Sequence, residues 1–504
     1  MSLAGRIASL AAVVVILSAH VGSPDTYYEG QAGPYRVRVI VRSPGVVPGL
    51  AQITVRMLDG GGATTVTVLP VYWDPRVAAP PPPDTARIVS GDSTLYAAAL
   101  WLMTSGSYSV QVTVTGPSGR GTAVVPVQAI ATRRLELQKP VAAGLAAFGA
   151  FLFFGALTII AAAVREAPLA PGLEPDRGRV WRSRIASGVG GVMLLGVVLG
   201  GRTWWNAVDS GFARRIYQPL ASTASVRSLP RAERGGGRAV LRFSIVDSAW
   251  RQHRVTPLVP DHGHLVHLFV VREGLDAFAH LHPVLVDSSN FDSALPPLPP
   301  GRYRVYADIT RESGFAETLT DTITLGAPAG AWRMTDPDDA WWSGERGALK
   351  DSLPVAGSGV LADGSRMRWE RGSTPLVTGQ DAQLRFTVFA PDGRPATLEP
   401  YMGMAGHLML TRDDGSVFVH LHPLGTVSWA AQQTFLLRVP ADTVYGTVGR
   451  RLTAAEATMA PMPPPAGGTV SFPYAFPKPG RYRLWVQVKR DHRILTGVFD
   501  AEVQ

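Results

Sequence analysis

Cysteine is absent from the 504 residues, which excludes disulfides, thiolate catalysis, zinc fingers and dithiol redox sites. Any metal must be held by histidine, methionine or carboxylate. Charge is scarce as well: charged residues make up 17% of the chain, against about 25% in an average soluble protein. That deficit excludes a disordered tail protein and points to membrane segments. Four of the 48 basic residues are lysine, and the net charge of +9 is spread without a Lys/Arg block. No nucleic-acid partner is therefore expected. With 53 glycines and 41 prolines, the chain is too heavily punctuated for a helical bundle and suits short strands and turns.

Three apolar stretches set the expected topology. Residues 7–19 read IASLAAVVVILSA after Arg6, too short for a span and typical of a signal-peptide core, so residues 1–23 are read as a signal peptide or uncleaved anchor. Val141 to Val164 is uncharged throughout and long enough for a transmembrane helix. Ile185 to Gly201 is shorter and contains six glycines, and Trp204 and Trp205 follow where an interfacial aromatic belt would lie. Between these spans, the loop 165–184 carries Arg165, Arg177, Arg179, Arg182 and Arg184, which marks the cytoplasmic side. The expectation is a two-helix hairpin in a lipid bilayer, with 24–135 and 205–504 exported. The cytoplasmic loop is too small to hold an enzyme.

The exported parts alternate with period two, as in Tyr35 to Val41 (YRVRVIV) and Ser107 to Val114 (SYSVQVTV). A turn glycine followed by a tyrosine strand occurs three times, at Gly106–Val110, Gly301–Val305 and Gly480–Leu484. The expected fold class is mainly β, with three immunoglobulin-like antiparallel β-sandwich domains beside the transmembrane α-helical hairpin and the N-terminal signal or anchor helix. The sandwiches are placed at 24–135, 205–326 and 355–504, with 327–354 as a linker.

The second and third β-domains repeat one another. Leu241-Arg-Phe-Ser-Ile matches Leu384-Arg-Phe-Thr-Val, and Asp261-His-Gly-His-Leu-Val-His267 matches Tyr401-Met-Gly-Met-Ala-Gly-His407. Thirteen residues after the last histidine of each run come His280-Leu-His282-Pro and His420-Leu-His422-Pro. Thus His267, His280 and His282 align with His407, His420 and His422, while His262 and His264 are replaced by Met402 and Met404. Eight of the eleven histidines lie in these two clusters.

A His-x-His strand points both rings to one face. The connections Arg-Glu-Gly-Leu and Arg-Asp-Asp-Gly-Ser have hairpin-turn chemistry. His267 then falls opposite His280 or His282, and in either register the three rings share a face at about 5–7 Å between Cβ atoms. Neutral imidazoles suit zinc, copper or nickel, and the exchange of histidine for methionine selects copper, because thioether is a poor zinc ligand. The expected first site is His267, His280 and His282 with His262 or His264, taking Cu(II) or Zn(II). The expected second site is His407, His420 and His422 with Met402 or Met404, favouring Cu(I).

A catalytic reading finds less support. His262-x-His264-x-x-His267 has metallo-hydrolase spacing, but Val266 stands where an aspartate is required, and a copper monooxygenase would need a substrate pocket the sequence does not announce. The expectation is therefore no enzyme. The alternative is an interaction module that binds a protein or glycan, its histidines being structural.

The runs His267-Leu-Phe-Val-Val, Phe278-Ala-His-Leu-His-Pro283 and Pro300-Gly-Arg-Tyr-Arg-Val-Tyr-Ala-Asp308, with Asp414-Gly-Ser-Val-Phe-Val-His-Leu-His-Pro423, resemble modules of bacterial exported, membrane-anchored proteins often associated with copper or heavy-metal handling. The resemblance covers about 235–325 and 380–500. It implies a metal-handling context but no established reaction, and with the export signal and the hairpin the expectation is a bacterial inner-membrane protein with its large domains on the periplasmic, extracytoplasmic side. The implied role is that of a copper buffer, chaperone or sensor component, partnered by a copper transporter or metallochaperone.

Overall fold

The protein, as a computed structural model, is described over residues 21, 25–60, 65–135, 137–166, 169–170, 172–229, 238–327, 334, 336–344, 358–372, 374–458 and 466–504. The expected signal or anchor stretch 7–19 and much of the expected linker 327–354 lie outside these residues. Antiparallel strands dominate, and the chain forms two compact units, one of residues 1–129 with 218–504 and the other of residues 130–217.

The larger unit contains three pairs of antiparallel sheets. In the first pair, a five-stranded sheet that includes Tyr35–Arg42 and Gly49–Met57 faces a four-stranded sheet that includes Gly106–Gly116 and Gly119–Ala129. Gly49–Met57 buries every second residue, as period-two alternation requires. Valines from both sheets, among them Val37, Val39, Val112 and Val125, close the core.

The two repeats have the same plan. In repeat one, the strands His267–Arg272, Ala277–Leu281 and Gly301–Arg311 form the centre of one sheet. In repeat two, the corresponding strands are His407–Arg412, Phe418–Leu421 and Gly480–Arg490. Each repeat packs this sheet against a four-stranded partner over an apolar core.

The recurring glycine-tyrosine signature has a local cause. Gly301 and Gly480 have φ of 149° and 129°, and a Cβ there would meet Arg272 Nε at 2.8 Å and Arg412 Nε at 2.7 Å, so only glycine fits. The tyrosines that follow are buried, and each hydroxyl is tied to backbone four residues upstream. Tyr303 donates to the Pro299 carbonyl at 2.5 Å, Tyr482 donates to the Lys478 carbonyl at 2.7 Å, and Tyr108 accepts from the Thr104 amide at 3.0 Å.

Two features add to the expected plan. Residues 340–343 belong to the expected linker, yet Ala340–Ser343 forms a strand on Ala277–Leu281, with Ala340 opposite His280. An edge strand leaves unpaired amides and carbonyls, and this segment satisfies them. The larger unit also contains helices, among them Trp429–Leu437 and Thr447–Glu456. The first is capped by Ser428, whose hydroxyl accepts from the Ala431 amide at 3.1 Å.

The smaller unit is a helical hairpin of Lys139–Glu166 and Arg177–Ala213. Both helices are long and apolar enough to cross a membrane. The second extends well beyond the expected 185–201 in both directions, taking in four of the loop arginines and the Trp204–Trp205 pair. Asp176 starts it by accepting from the Arg179 amide at 2.8 Å. At 1.5 Å per residue it is about 55 Å long, against about 30 Å for a hydrocarbon core. The helices run antiparallel: Ser183 Oγ donates to the Ala161 carbonyl at 2.9 Å, Arg134 pairs with Asp209 at 3.1 Å, and Gly190 leaves room for Ile160.

Candidate metal centre

Both histidine hairpins use one register. Leu268 pairs with Leu281 in repeat one and Leu408 with Leu421 in repeat two, so His267 lies across from His282 and His407 across from His422. On the other side, His267 faces Asp308 and His407 faces Gln487. The turns before the hairpins also match. His262 and Met402 have φ of 54° and 49°, each followed by a positive-φ glycine, the conformation of a type I′ turn. The turns are closed by Asp261 bridging His264 and Tyr401 bridging Met404.

Each repeat gathers its aligned histidines. One ring nitrogen each from His267, His280 and His282 lies within 4.8 Å of the others, and the same holds for His407, His420 and His422. All but His420 are fully buried. The protons can be placed from the acceptors around them. His267 Nε2 donates to the Asp261 carbonyl at 2.9 Å, and His407 Nε2 to the Tyr401 carbonyl at 3.3 Å. His422 Nδ1 donates to the Val427 carbonyl at 3.1 Å, and His280 Nδ1 to Gln487 Oε1 at 2.9 Å. His282 Nδ1 and His420 Nδ1 each lie 3.3 Å from a carboxylate, of Asp339 and Asp308 respectively.

The remaining nitrogens converge as lone pairs. His267 Nδ1 is 3.2 Å from His280 Nε2, and His407 Nδ1 is 3.0 Å from His420 Nε2. The Nε2 atoms of His282 and His422 are buried without a hydrogen-bond partner. Holding one imidazole nitrogen and freeing the other is how proteins orient histidine toward a metal. Two nitrogens at about 2.05 Å from a tetrahedral ion would stand about 3.3 Å apart, close to the two short separations seen here.

The two triads share one interface, and this alters the expected ligand sets. His267 and His420 ring centres are 5.6 Å apart, as are those of His280 and His420. His262 leaves its own triad for the other: its ring centre is 5.7 Å from His407 and 5.3 Å from His422, and it stacks on Trp429 at 5.5 Å. Only His264 stays with repeat one, 4.1 Å from His282. Met402 and Met404 are buried in the equivalent turn.

Contacts across the interface are reciprocal. Tyr306 stacks on Phe418 at 3.9 Å, while Trp485, its counterpart in repeat two, stacks on Phe278 at 4.9 Å. Asp308 of repeat one supports His420, and Gln487, its counterpart, supports His280. Neither triad is completed by its own repeat.

Burial sets the electrostatics. It pushes His262 down to about 3 and His267 to about 4, and holds His280, His282, His407 and His420 well below the usual histidine value, with neighbouring histidines adding to the effect. These rings are therefore neutral at physiological pH. Burial also raises the Asp308 and Glu456 carboxyls to about 7. Glu456 accepts from the Gly263 amide at 3.1 Å, and Asp261 accepts from Ser428 Oγ at 2.8 Å and the Ala430 amide at 3.1 Å. Asp336 and Asp338 each lie 3.7 Å from a ring nitrogen of His264, and Lys489 reaches Asp338 at 3.8 Å. A surround this rich in carboxylate favours a cation.

Of these supporting residues, Asp261 and Asp308 stood in the aligned runs without a role assigned. Asp336, Asp338 and Asp339 were visible only as an acidic patch in the linker. Gln487 and Glu456 had no local signal, because their partners lie more than 190 residues away.

A protein-family model described as a domain of unknown function, DUF8832, matches residues 226–326 and 360–448, one stretch in each repeat. No curated protein matches the chain. Solved structures with some likeness include a tetra-tandem repeat from the extending region of a large adhesion protein, at 10% identity over 91% of this chain and 71% of that one, with a TM-score of 0.15. Others are the chicken CNTN1 FN1–FN3 domains, at 8% identity over 92% and 97% with a TM-score of 0.13, and native E. coli alpha-2-macroglobulin, at 9% identity over 97% and 23% with a TM-score of 0.18.

Proposed function

We propose that this protein is a membrane-anchored, extracytoplasmic metal-binding protein of a bacterial inner membrane, most suited to copper, and that it acts as a buffer, chaperone or sensor component without catalysis. In this reading its three sheet pairs are immunoglobulin-like sandwiches, and its partner is a copper transporter or metallochaperone. One observation carries the proposal. In each triad every imidazole has one nitrogen near a carbonyl, amide or carboxylate oxygen, while of the other nitrogens two stand 3.2 Å (repeat one) or 3.0 Å (repeat two) apart and the third is buried without a hydrogen-bond partner. A histidine that only filled core space would not leave a buried lone pair unpartnered, since that costs about 1–3 kcal/mol.

The donor sets suit slightly different ions. The triad of repeat one is all imidazole, which favours Cu(II) or Zn(II). Repeat two has imidazoles with Met402 and Met404 in the adjoining turn, which favours Cu(I). The test is competition by the detergent-solubilised full chain against a chromophoric Cu(I) chelator, repeated with Zn(II). The expected result is tight binding, with the equivalent held by repeat two lost when His420 and His422 are both changed to Ala. Retention of neither metal by the wild-type chain would overturn the reading.

A further inference from the structure

Alongside the two triads, a third group of ligand atoms comes together: His264, His282 and Asp336, one atom from each within 4.8 Å of the others. It differs from the triads in three ways. It is partly exposed, the His264 and Asp336 side chains retaining 17% and 22% of their accessibility. It includes a carboxylate. And Asp336 comes from the segment between the repeats, held by the Asp336 amide donating to Asp339 Oδ2 at 3.1 Å, while Asp339 Oδ1 accepts from the His282 amide at 2.8 Å.

His282 belongs both to this group and to the buried triad with His267 and His280. Its ring is 1% exposed, and neither of its nitrogens has a hydrogen-bond partner. It stands 4.1 Å from His264 on one side and 4.6 Å from His280 on the other, ring centre to ring centre. We propose that His264, Asp336 and His282 form a metal-loading site. A divalent ion first binds there and is then passed by ligand exchange at His282 into the buried His267–His280–His282 triad.

The proposal rests on the metal-binding reading above and adds a route to it. The triads are enclosed, so a hydrated ion needs an outer position where waters are shed one at a time. A carboxylate suits that step, because it attracts a hydrated cation and is a harder donor than imidazole. No bond other than metal–ligand bonds changes, and oxidation state is conserved. Asp338, at 3.7 Å from His264 and 3.8 Å from Lys489, adds negative charge at the mouth.

The test is stopped-flow uptake of Zn(II) from a chromophoric chelator by the full chain in detergent, with equilibrium stoichiometry measured alongside. Asp336→Asn keeps the shape and removes the charge. It is expected to slow both uptake and release by about tenfold, as loss of a steering and exchanging carboxylate should, while leaving the number of ions held and their affinity unchanged. Uptake by Asp336→Asn at the wild-type rate would overturn the loading site and leave the triads standing. Loss of equilibrium affinity equal to that of His267→Ala would overturn it too, making Asp336 a resident ligand. A wild-type chain that takes up no metal would instead defeat the metal reading itself.

Discussion

Repeat one and repeat two share a register, a turn conformation and a histidine triad, yet each triad is supported from elsewhere. In repeat two the carboxylate behind His420 is Asp308, from repeat one. In repeat one the amide behind His280 is Gln487, from repeat two, and the carboxylate behind His282 is Asp339, from the connecting segment. What the two copies keep in common is the part each needs to make a ligand hairpin. What they have exchanged or lost, such as His262 for Met402, concerns the neighbour. The comparison teaches that the pair of repeats, and not the single repeat, is the unit that encloses the two histidine triads.

The strongest way to break the comparison is to damage the interface alone. Trp485 is fully buried against Phe278, and Trp369 is buried in the core of repeat two. Trp485→Ala and Trp369→Ala should each destabilise the protein by about 3–5 kcal/mol. Only Trp485→Ala should also weaken metal at both triads, as read by chelator competition on samples shown by thermal melts to be folded. Equal loss of metal in both variants would mean that the interface has no special part.

A finer test crosses the supporting residues. Gln487→Leu, in repeat two, should weaken the triad of repeat one by about tenfold, and Asp308→Asn, in repeat one, should weaken that of repeat two by about as much, in line with the effect of outer-shell partners on metal affinity. Copper spectra with one triad removed by His-to-Ala changes would assign each loss. Losses confined to the repeat that carries the mutation would contradict the reciprocal arrangement.

The smallest effect is on pH dependence without metal. Burial lowers His262 to about 3 and His267 to about 4 from an ordinary value of 6.5. The unfolded chain therefore takes up protons first as the pH falls. The buried histidines cost the folded state stability progressively from about 6.5 toward pH 4, while Asp308 and Glu456, raised to about 7, take up protons first in the folded state and offset part of that loss. Melting temperatures of the metal-free protein between pH 7.5 and 4.5 should fall accordingly, and His262→Gln should reduce the slope. The same slope in His262→Gln and wild type would mean that this ring is not held neutral by burial.

Much of the site was legible in sequence because it is local. Alternation puts His280 and His282 on one face, and the glycine-containing connection sets the hairpin that adds His267, as the Leu268–Leu281 register bears out. The strand-rich architecture and the two long apolar helices were legible for the same reason. Asp339 and the strand Ala340–Ser343 were obscured by a Pro- and Trp-rich segment that resembles a linker, and its pairing with Ala277–Leu281 is fixed only by the edge that strand leaves open.

By itself, then, the sequence determined two histidine hairpins, one per repeat, from the two-residue spacing that puts alternate side chains on one face of a strand. Only the tertiary structure decided that they would face each other, send His262 to the opposite triad and draw Asp308, Asp339 and Gln487 behind the rings. The reason is physical. A strand's alternation depends on residues two apart, whereas the choice of which sheet covers the histidine face depends on stacking such as Tyr306 on Phe418 and Phe278 on Trp485, between side chains more than a hundred residues apart.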